Sequence, residues 1–397
     1  MIVHEWTSET ADPREEGRRF GERWASQLHE ARDAYRRLFA QSGVTGEQTD
    51  DVVAECRAAV EAWAPEIAEE FHGVAEGSGL EVADVHLLTA RTEVLARMTP
   101  SMECSTIVFV PAGARPPRTL QTWDWHETLS NETVVRRLRT ASGARVVTFS
   151  EFGQPAKIGV NDRGLGVHFN ILHHRSDGTQ AGVPVHVLSR MILDRASTVG
   201  EAEALARSVP LAASSVLTVV AFDGDRAEAA AIEVSPAGVA ALAVTPGGVL
   251  AHTNHFLDEE LAAGEFSPYE TTSVPRYRCL VDAADLARIE DDRERALAFG
   301  GIPDAPISVR ARQDQPGHLR WETKLTVALD VEHGAIAFAA AAPADVAQAS
   351  WHRIGVDDGA AEARSEEHGR RPAATLTPGI ATETGDALPP APADPAR

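Results

Sequence analysis

The sequence predicts an α+β protein in which blocks of helices alternate with blocks of hairpin strands. The first observation is that apolar residues recur at three- and four-residue steps through the first hundred residues, as in amphipathic helices. The second is that this period changes at Cys104, just before the β-branched run that begins at Ile107. A helical block is therefore expected to give way to a sheet near Cys104.

The first block is predicted to contain three helices, over 13–41, 50–70 and 81–98. The longest carries an apolar stripe on one face: Phe20, Trp24, Leu28, Ala31, Tyr35, Leu38 and Phe39. Pro100 lacks a donor N–H and ends the third helix. The first hundred residues are therefore expected to be helical.

The following residues are predicted to form hairpins. Residues 107–110 and 119–125 are expected to be two strands joined by a turn rich in Gly and Pro. Further strands are predicted at 145–149 and 165–170, with Asn161-Asp162-Arg163-Gly164 as a turn before the second. The remaining predicted elements are helices within 183–209, strands at 215–222, 229–235 and 238–244, a helix over 276–299, and a hairpin of 324–330 with 334–340.

Composition excludes several classes of partner. The 397 residues carry a formal net charge of -22, and Lys157 and Lys324 are the only lysines. Such a surface repels phosphate backbones and anionic lipids, so neither nucleic acid nor membrane partners are expected. The first residues show no basic segment followed by an apolar one, which indicates a cytoplasmic protein.

The three cysteines, Cys56, Cys104 and Cys279, are far apart and odd in number. No pair has C-x-x-C spacing, so neither a zinc knuckle nor a disulfide framework is supported. Free thiols are expected.

Cys104 permits two interpretations. A lone cysteine at the start of a strand can be a buried structural thiol. If the chain is cut before Cys104, however, its new α-amine, with an ordinary pKa of about 8, can serve as general base toward its own thiol. The second interpretation requires a reason for the cut.

Several short segments supply that reason: Cys104-Ser105-Thr106, Thr122-Trp123-Asp124, Gly159 to Val167, Gly182 to His186, Ser214-Ser215, Glu233 to Pro236, and His252 to His255. In the order and spacing of these segments the chain resembles the isopenicillin N acyltransferase (acyl-coenzyme A:6-aminopenicillanic acid acyltransferase) family of the N-terminal nucleophile (Ntn) hydrolase superfamily. The resemblance extends over roughly residues 15 to 355. It implies an αββα sandwich of two antiparallel sheets flanked by helices.

The resemblance also implies a precursor, or zymogen, that cleaves itself before Cys104. The helical α chain would then comprise residues 1–103 and the catalytic β chain residues 104–357. Residues 358–397 are rich in Ala, Pro, Glu, Thr and Asp and are expected to form a disordered tail. The sequence permits a homo-oligomer but does not determine the oligomeric state.

Catalytic and processing residues follow from the same resemblance. Cys104 matches the nucleophile, Asp124 the aspartate that fixes the new amine, and Asn254 the oxyanion-hole asparagine. Ser235 and Ser308 match serines that influence processing. Glu103 departs from the family, which commonly has glycine before the cysteine, and glycine eases the strained geometry of self-cleavage.

The resemblance implies acyl transfer from an amide or an acyl thioester to water or an amine. Acyl-coenzyme A is one such donor, and no cofactor is expected. Candidate pocket residues are Trp123, Trp125, Phe169 and His255. The family also places an arginine after Ser308-Val309, for which Arg310 is a candidate and Arg312 an alternative.

Other readings remain open. His168, His173, His174, His252 and His255 lack H-E-x-x-H spacing, so no metal site is predicted. Cys104 could act as a papain-like thiol with His126 or His255, although the flanks of Cys104 lack that signature. A non-catalytic binding protein that keeps the Ntn fold and never processes is the third alternative.

Overall fold

A computed structural model of the chain describes residues 1–96, 103–266 and 271–358. The predicted tail therefore lies outside the described residues apart from Asp358, and so does Met98 at the end of the third predicted helix. No helix within the described ranges is long and apolar enough to cross a membrane.

The strands of the described residues form two sheets. They are β1 (Ile2–Thr7), β2 (Cys104–Phe109), β3 (Arg118–His126), β4 (Glu132–Arg139), β5 (Arg145–Glu151), β6 (Ile158–Asn161), β7 (Leu165–Ile171), β8 (Ser215–Phe222), β9 (Ala227–Ser235), β10 (Gly238–Ala243), β11 (Val249–His252), β12 (Trp321–Asp330), β13 (Ala335–Ala339) and β14 (His352–Gly355). The large sheet has the order β1-β4-β5-β6-β7-β8-β9-β10, and the small sheet β11-β2-β3-β12-β13-β14.

Neighbouring strands pair antiparallel, as predicted, except for β1 and β4, which pair in parallel. A parallel pair needs a long connection, and the whole helical block separates these two strands. The block before Cys104 is thus not helical throughout, because Ile2, Val3 and Trp6 favour a strand. The predicted hairpin is confirmed, with Cys104 opposite Trp123 in β2 and β3.

The described residues also form α-helices. They are α1 (Pro13–Arg23), α2 (Ala25–Gln41), α3 (Gly46–Trp63), α4 (Pro65–Ser78), α5 (Val82–Thr89), α6 (Arg91–Ala96), α7 (Val185–Arg195), α8 (Val199–Ser208), α9 (Glu259–Ala262), α10 (Ser273–Asp282) and α11 (Asp292–Gly300). The pair α7 and α8 packs on the large sheet, α10 and α11 pack on the small sheet, and β2 and β13 face β7 and β6 across the core. The predicted αββα order of layers is confirmed.

Helices α1 and α4 cross at unusually close range. A methyl group at Gly73 of α4 would lie 2.0 Å from the carbonyl oxygen of Arg14, and one at Gly17 of α1 would lie 2.0 Å from that of Glu70. Glycine is thus required at this crossing. Behind it, Arg136 of β4 donates to Glu70 at 2.7 Å, which ties the helical block to the large sheet.

Candidate active site

Cys104 is the first residue of β2, a strand held between β11 and β3 in the small sheet. Its side chain belongs to the core between the two sheets, where Trp123 is its partner across the hairpin. The residue is 3% exposed. A rigid, paired strand therefore fixes the position of the thiol.

The peptide bond between Glu103 and Cys104 is held from both sides. The amide N–H of Cys104 donates to Oδ1 of Asn254 at 2.8 Å. On the other side, the carbonyl oxygen of Glu103 accepts from the backbone N–H of Asp124 at 3.1 Å. Donors and acceptors thus engage both polar groups of this one peptide bond.

Three partners define the orientation of the Asn254 amide. Its Oδ1 accepts from Cys104 and from Nη2 of Arg276 at 2.9 Å, whereas Nδ2 donates to the carbonyl oxygen of Ile171 at 2.8 Å. Only this assignment matches every donor with an acceptor. In this state the carbonyl end of Asn254, rather than its NH₂ group, faces the peptide bond.

The carboxyl group of Asp124 lies buried beside this bond. Its Oδ1 accepts from the hydroxyl of Thr323 at 2.6 Å, while Oδ2 has no hydrogen-bond partner among the described residues. Burial raises the pKa of Asp124 to about 7, although Arg276 and Thr323 oppose this effect. The carboxyl group therefore gains and loses its proton near neutral pH.

The thiol of Cys104 is poorly acidic in this environment. Burial raises its pKa to about 12, and the negative charge of Asp124 adds to the increase. The cation of Lys157 and the backbone N–H of Asp124 act in the opposite direction. The thiol is thus protonated at neutral pH and needs a proton acceptor before it can attack a carbonyl group.

Sequence reasoning missed Arg276, which lies in α10 and is fully buried. Its guanidinium group donates to the carbonyl oxygen of Cys104, to Oγ of Ser105 at 3.0 Å and to Oδ1 of Asn254. It also forms an ion pair with Glu103 at 3.4 Å. In a sequence, an isolated arginine on an amphipathic helix suggests a solvent-facing side chain. No local pattern therefore indicated that Arg276 is buried beside Cys104.

Lys157 is the second residue that sequence reasoning missed. Its buried Nζ lies 3.8 Å from the centroid of the Trp123 ring and 3.2 Å from Oε2 of Glu151. Burial lowers the pKa of Lys157 to about 7, and the charge of Glu151 limits that decrease. A signal was present: one of only two lysines in the chain lies two residues before the matching segment that begins at Gly159.

The predicted pocket residues are divided between the core and the surface. Trp123, Trp125 and Phe169 are buried in the core, the two indoles with their ring centroids 6.0 Å apart. His255 is half-buried, and its Nδ1 lies 2.7 Å from Oγ of Ser273. Arg310 is exposed and forms an ion pair with Asp345, so the structure does not bring it to Cys104.

The hydrogen bonds of the two predicted processing serines go to other residues than Glu103 and Cys104. Ser235 ends β9, where its hydroxyl is 3.1 Å from that of Ser176 and accepts from the N–H of Ala237. The hydroxyl of Ser308 accepts from the N–H of Ala344 at 3.2 Å. Within the described ranges, no three His, Cys, Asp or Glu side chains are grouped so that they could hold a metal ion.

Solved structures with a similar arrangement include an N-acylethanolamine-hydrolyzing acid amidase ortholog from Caenorhabditis elegans (15% identity, 57% of this chain and 93% of that chain, TM-score 0.40). A penicillin V acylase from Agrobacterium tumefaciens also matches (14% identity, 64% and 87%, TM-score 0.36). A variant of conjugated bile acid hydrolase from Clostridium perfringens is a third (10% identity, 63% and 92%, TM-score 0.41). At these scores the likeness supports no functional statement about this chain.

Sequence comparison is more specific. The chain is 29% identical over 209 residues to the 40 kDa form of acyl-coenzyme A:6-aminopenicillanic-acid-acyltransferase from Emericella nidulans. That match covers 51% of this chain and 56% of the relative, so it spans little more than half of the relative's length. Residues 116–283, which include Asp124 and Asn254, match the sequence model of one family and thereby confirm the resemblance. The family that this model describes, and to which residues 116–283 are similar, is the acyl-coenzyme A:6-aminopenicillanic acid acyl-transferase family.

Proposed function

We propose that the chain is a self-processing cysteine amidohydrolase or acyltransferase whose nucleophile is Cys104. The observation that carries the proposal is the peptide bond before Cys104, whose carbonyl oxygen accepts from Asp124 and whose N–H donates to Asn254. A donor at the carbonyl oxygen favours the negative charge that develops there during attack by a thiolate. The family match to an acyltransferase supports the same chemistry.

Self-cleavage would begin with attack by the Cys104 sulfur on the carbonyl carbon of Glu103. The C–S bond forms, the C–N bond breaks, and the amide nitrogen takes up a proton to become the free α-amine of Cys104. Water then hydrolyses the thioester, which returns the thiol and leaves a carboxylate at Glu103. The products are chains of residues 1–103 and 104–397.

The first step needs a base other than the α-amine, because that nitrogen is still part of the peptide bond. Asp124 fits this requirement, since its Oδ2 has no hydrogen-bond partner among the described residues and its pKa of about 7 lies near neutral pH. Thr323 holds the other carboxylate oxygen at 2.6 Å. We assign to Asp124 the acceptance of the thiol proton before cleavage and the orientation of the free amine afterwards.

Turnover would repeat the same chemistry on an external acyl donor. The free amine of Cys104 accepts the thiol proton, the sulfur attacks an amide or thioester carbonyl, and an acyl-Cys104 intermediate forms. Water or an amine then removes the acyl group. Cleavage frees Oδ1 of Asn254 from the peptide N–H, and rotation of the amide away from Ile171 would then present its NH₂ group to the oxyanion. The name of the relative points to acyl-coenzyme A as donor and a β-lactam amine as acceptor.

Intact-mass measurement of the purified protein under denaturing conditions tests the proposal. We expect two chains that meet at Glu103 and Cys104. Cys104→Ala should give one chain and no turnover, whereas the matched control Cys279→Ala should cleave at the normal rate. A single chain from the unaltered protein, with no acylation of its thiol by substrates, would instead favour the non-catalytic binding protein.

The papain-like alternative gains no support from His255, whose Nδ1 faces Ser273 at 2.7 Å and the hydroxyl of Thr253 at 3.2 Å. His126 lies opposite Trp321, three positions beyond Trp123 along β3. Cleavage before Cys104 separates the two mechanisms, since a papain-like enzyme needs no new amino terminus at its nucleophile.

A further inference from the structure

The carboxylate of Glu103 is bound in a site that its neighbours build around it. Oε1 accepts from the hydroxyl of Thr271 at 2.8 Å and from the backbone N–H of Thr272 at 2.8 Å. Oε2 accepts from the hydroxyl of Thr272, and Nη2 of Arg276 lies 3.4 Å from Oε1. We call Thr271, Thr272 and Arg276 the carboxylate clamp.

The clamp selects a negative charge. Burial opposes ionisation of Glu103, but Arg276 and the donors from Thr272 and Thr271 outweigh it and hold the pKa of Glu103 below its usual range. Thr272 is also the N-cap of α10, where the helix dipole favours an anion. Arg276 is fully buried, so departure of the Glu103 carboxylate would leave a buried cation without this partner.

Glu103 is the acyl donor of the proposed self-cleavage, because its carbonyl carbon is the one that Cys104 attacks. Whatever holds the side chain of Glu103 therefore lies on the acyl side of the reacting bond. The side chain places its carboxylate carbon fifth in a chain that starts at the reacting carbonyl carbon. The precursor thus displays an acyl group bound next to its own nucleophile.

We propose that, in the processed protein, the carboxylate clamp is the subsite for an acyl group that carries a carboxylate on its fifth carbon, as glutaryl and α-glutamyl groups do. The inference rests on the proposed function, since it takes Cys104 as the nucleophile. A shorter acyl chain does not reach the clamp from the same carbonyl position. A longer acyl chain has to accommodate an additional methylene group within a buried site.

The test uses the processed full-length protein and four p-nitroanilides, those of succinic, glutaric, adipic and pentanoic acid. We expect kcat/KM for the glutaryl compound to exceed that for the neutral pentanoyl compound by about tenfold or more, as charge-assisted hydrogen bonds in a buried site imply. The succinyl and adipyl compounds should both fall below glutaryl. Free glutarate should also inhibit more strongly than pentanoate.

A variant locates the effect. Thr272→Val keeps the shape of the side chain and removes one donor to the carboxylate, so the ratio of glutaryl to pentanoyl turnover should fall several-fold. Thr245→Val, at an exposed threonine outside the clamp, should leave that ratio unchanged. If Thr272→Val does not fold, the chain-length series on the unaltered protein decides the question.

The results separate this inference from the function on which it rests. Turnover of pentanoyl equal to or above glutaryl, and dependent on Cys104, would overturn the subsite and leave the acyl-transfer proposal intact. The same holds if adipyl is preferred to glutaryl. Failure of the chain to cleave, together with no Cys104-dependent turnover of any anilide, would overturn both.

Discussion

The backbone N–H of Asp124 donates to the carbonyl oxygen of Glu103 across the β2–β3 hairpin at 3.1 Å. The same N–H faces the thiol of Cys104 and lowers its pKa. One main-chain donor thus serves both the attacking sulfur and the oxygen that would gain charge. The hairpin fixes the position of this donor, so the reactivity of the bond can be changed through the side chains around it.

Asn254→Ala is expected to slow self-cleavage by up to about 100-fold, because the acceptor that positions the N–H of the reacting peptide bond is lost. Its Oδ1 accepts from the N–H of Cys104 at 2.8 Å and from Arg276 at 2.9 Å. The rate is measured by intact mass at timed intervals after synthesis. Cleavage of Asn254→Ala at the normal rate would contradict the assigned role.

The rate of self-cleavage should rise with pH and level off above about pH 7. Below that value Asp124, whose pKa burial raises to about 7, is protonated and cannot accept the thiol proton. Asp124→Asn should therefore cleave slowly and with little dependence on pH between 5 and 8. A variant that keeps the same pH profile as the unaltered chain would exclude Asp124 as the base.

Asp124 should also make the folded protein less stable as pH rises. Its folded pKa lies above the ordinary value of 3.8, so its contribution is fully present below about pH 4 and lost as pH rises through 7. In uncleavable Cys104→Ala, the free energy of unfolding should fall between pH 5 and 8 by on the order of 2 kcal/mol more than in the Cys104→Ala, Asp124→Asn double variant. Urea titrations at both pH values measure this difference, and equal slopes would contradict it.

Lys157→Met should slow cleavage by about tenfold at pH 7, because loss of a nearby cation raises the thiol pKa by about one unit. The effect should shrink at pH 9, because burial lowers the pKa of Lys157 to about 7 and the side chain is then largely neutral in the unaltered protein as well. Lys324→Met is the matched control, since Lys324 is also buried and donates to the carbonyl oxygen of Glu127 and to Asn131, each at 3.1 Å. Equal slowing in both variants would indicate a merely structural role for Lys157.

Gly73→Ala should destabilise the protein by about 1–3 kcal/mol, because the new methyl group would lie 2.0 Å from the carbonyl oxygen of Arg14. The control is Gly46→Ala at the start of α3, where no atom lies within 4 Å of the added Cβ. That change should be neutral or stabilise by up to about 1 kcal/mol. Urea unfolding of both variants measures the difference, and equal effects would contradict a close helix crossing.

The pattern of apolar residues determined much of the fold. The change of period at Cys104 predicted the hairpin in which Cys104 lies opposite Trp123, because side-chain alternation and turn residues are local properties. Local pattern did less well at 13–41, where one predicted helix is divided at Trp24 into α1 and α2. It also overlooked β1, whose partner β4 lies more than a hundred residues away.

The sequence by itself determined that Cys104, Asp124 and Asn254 are the residues to examine, since they stand in segments that resemble one family. Only the tertiary structure decided that Asn254, 150 residues from Cys104, accepts its N–H, and that Arg276 and Lys157 lie beside the same bond. The tertiary structure also decided the environment of Glu103. In the sequence this residue departs from the glycine that eases self-cleavage, whereas in the fold its carboxylate is bound by the carboxylate clamp. The physical reason is that hydrophobic period and turn chemistry are local along the chain. Hydrogen bonds and charges act between residues that only packing of the two sheets and α10 brings together.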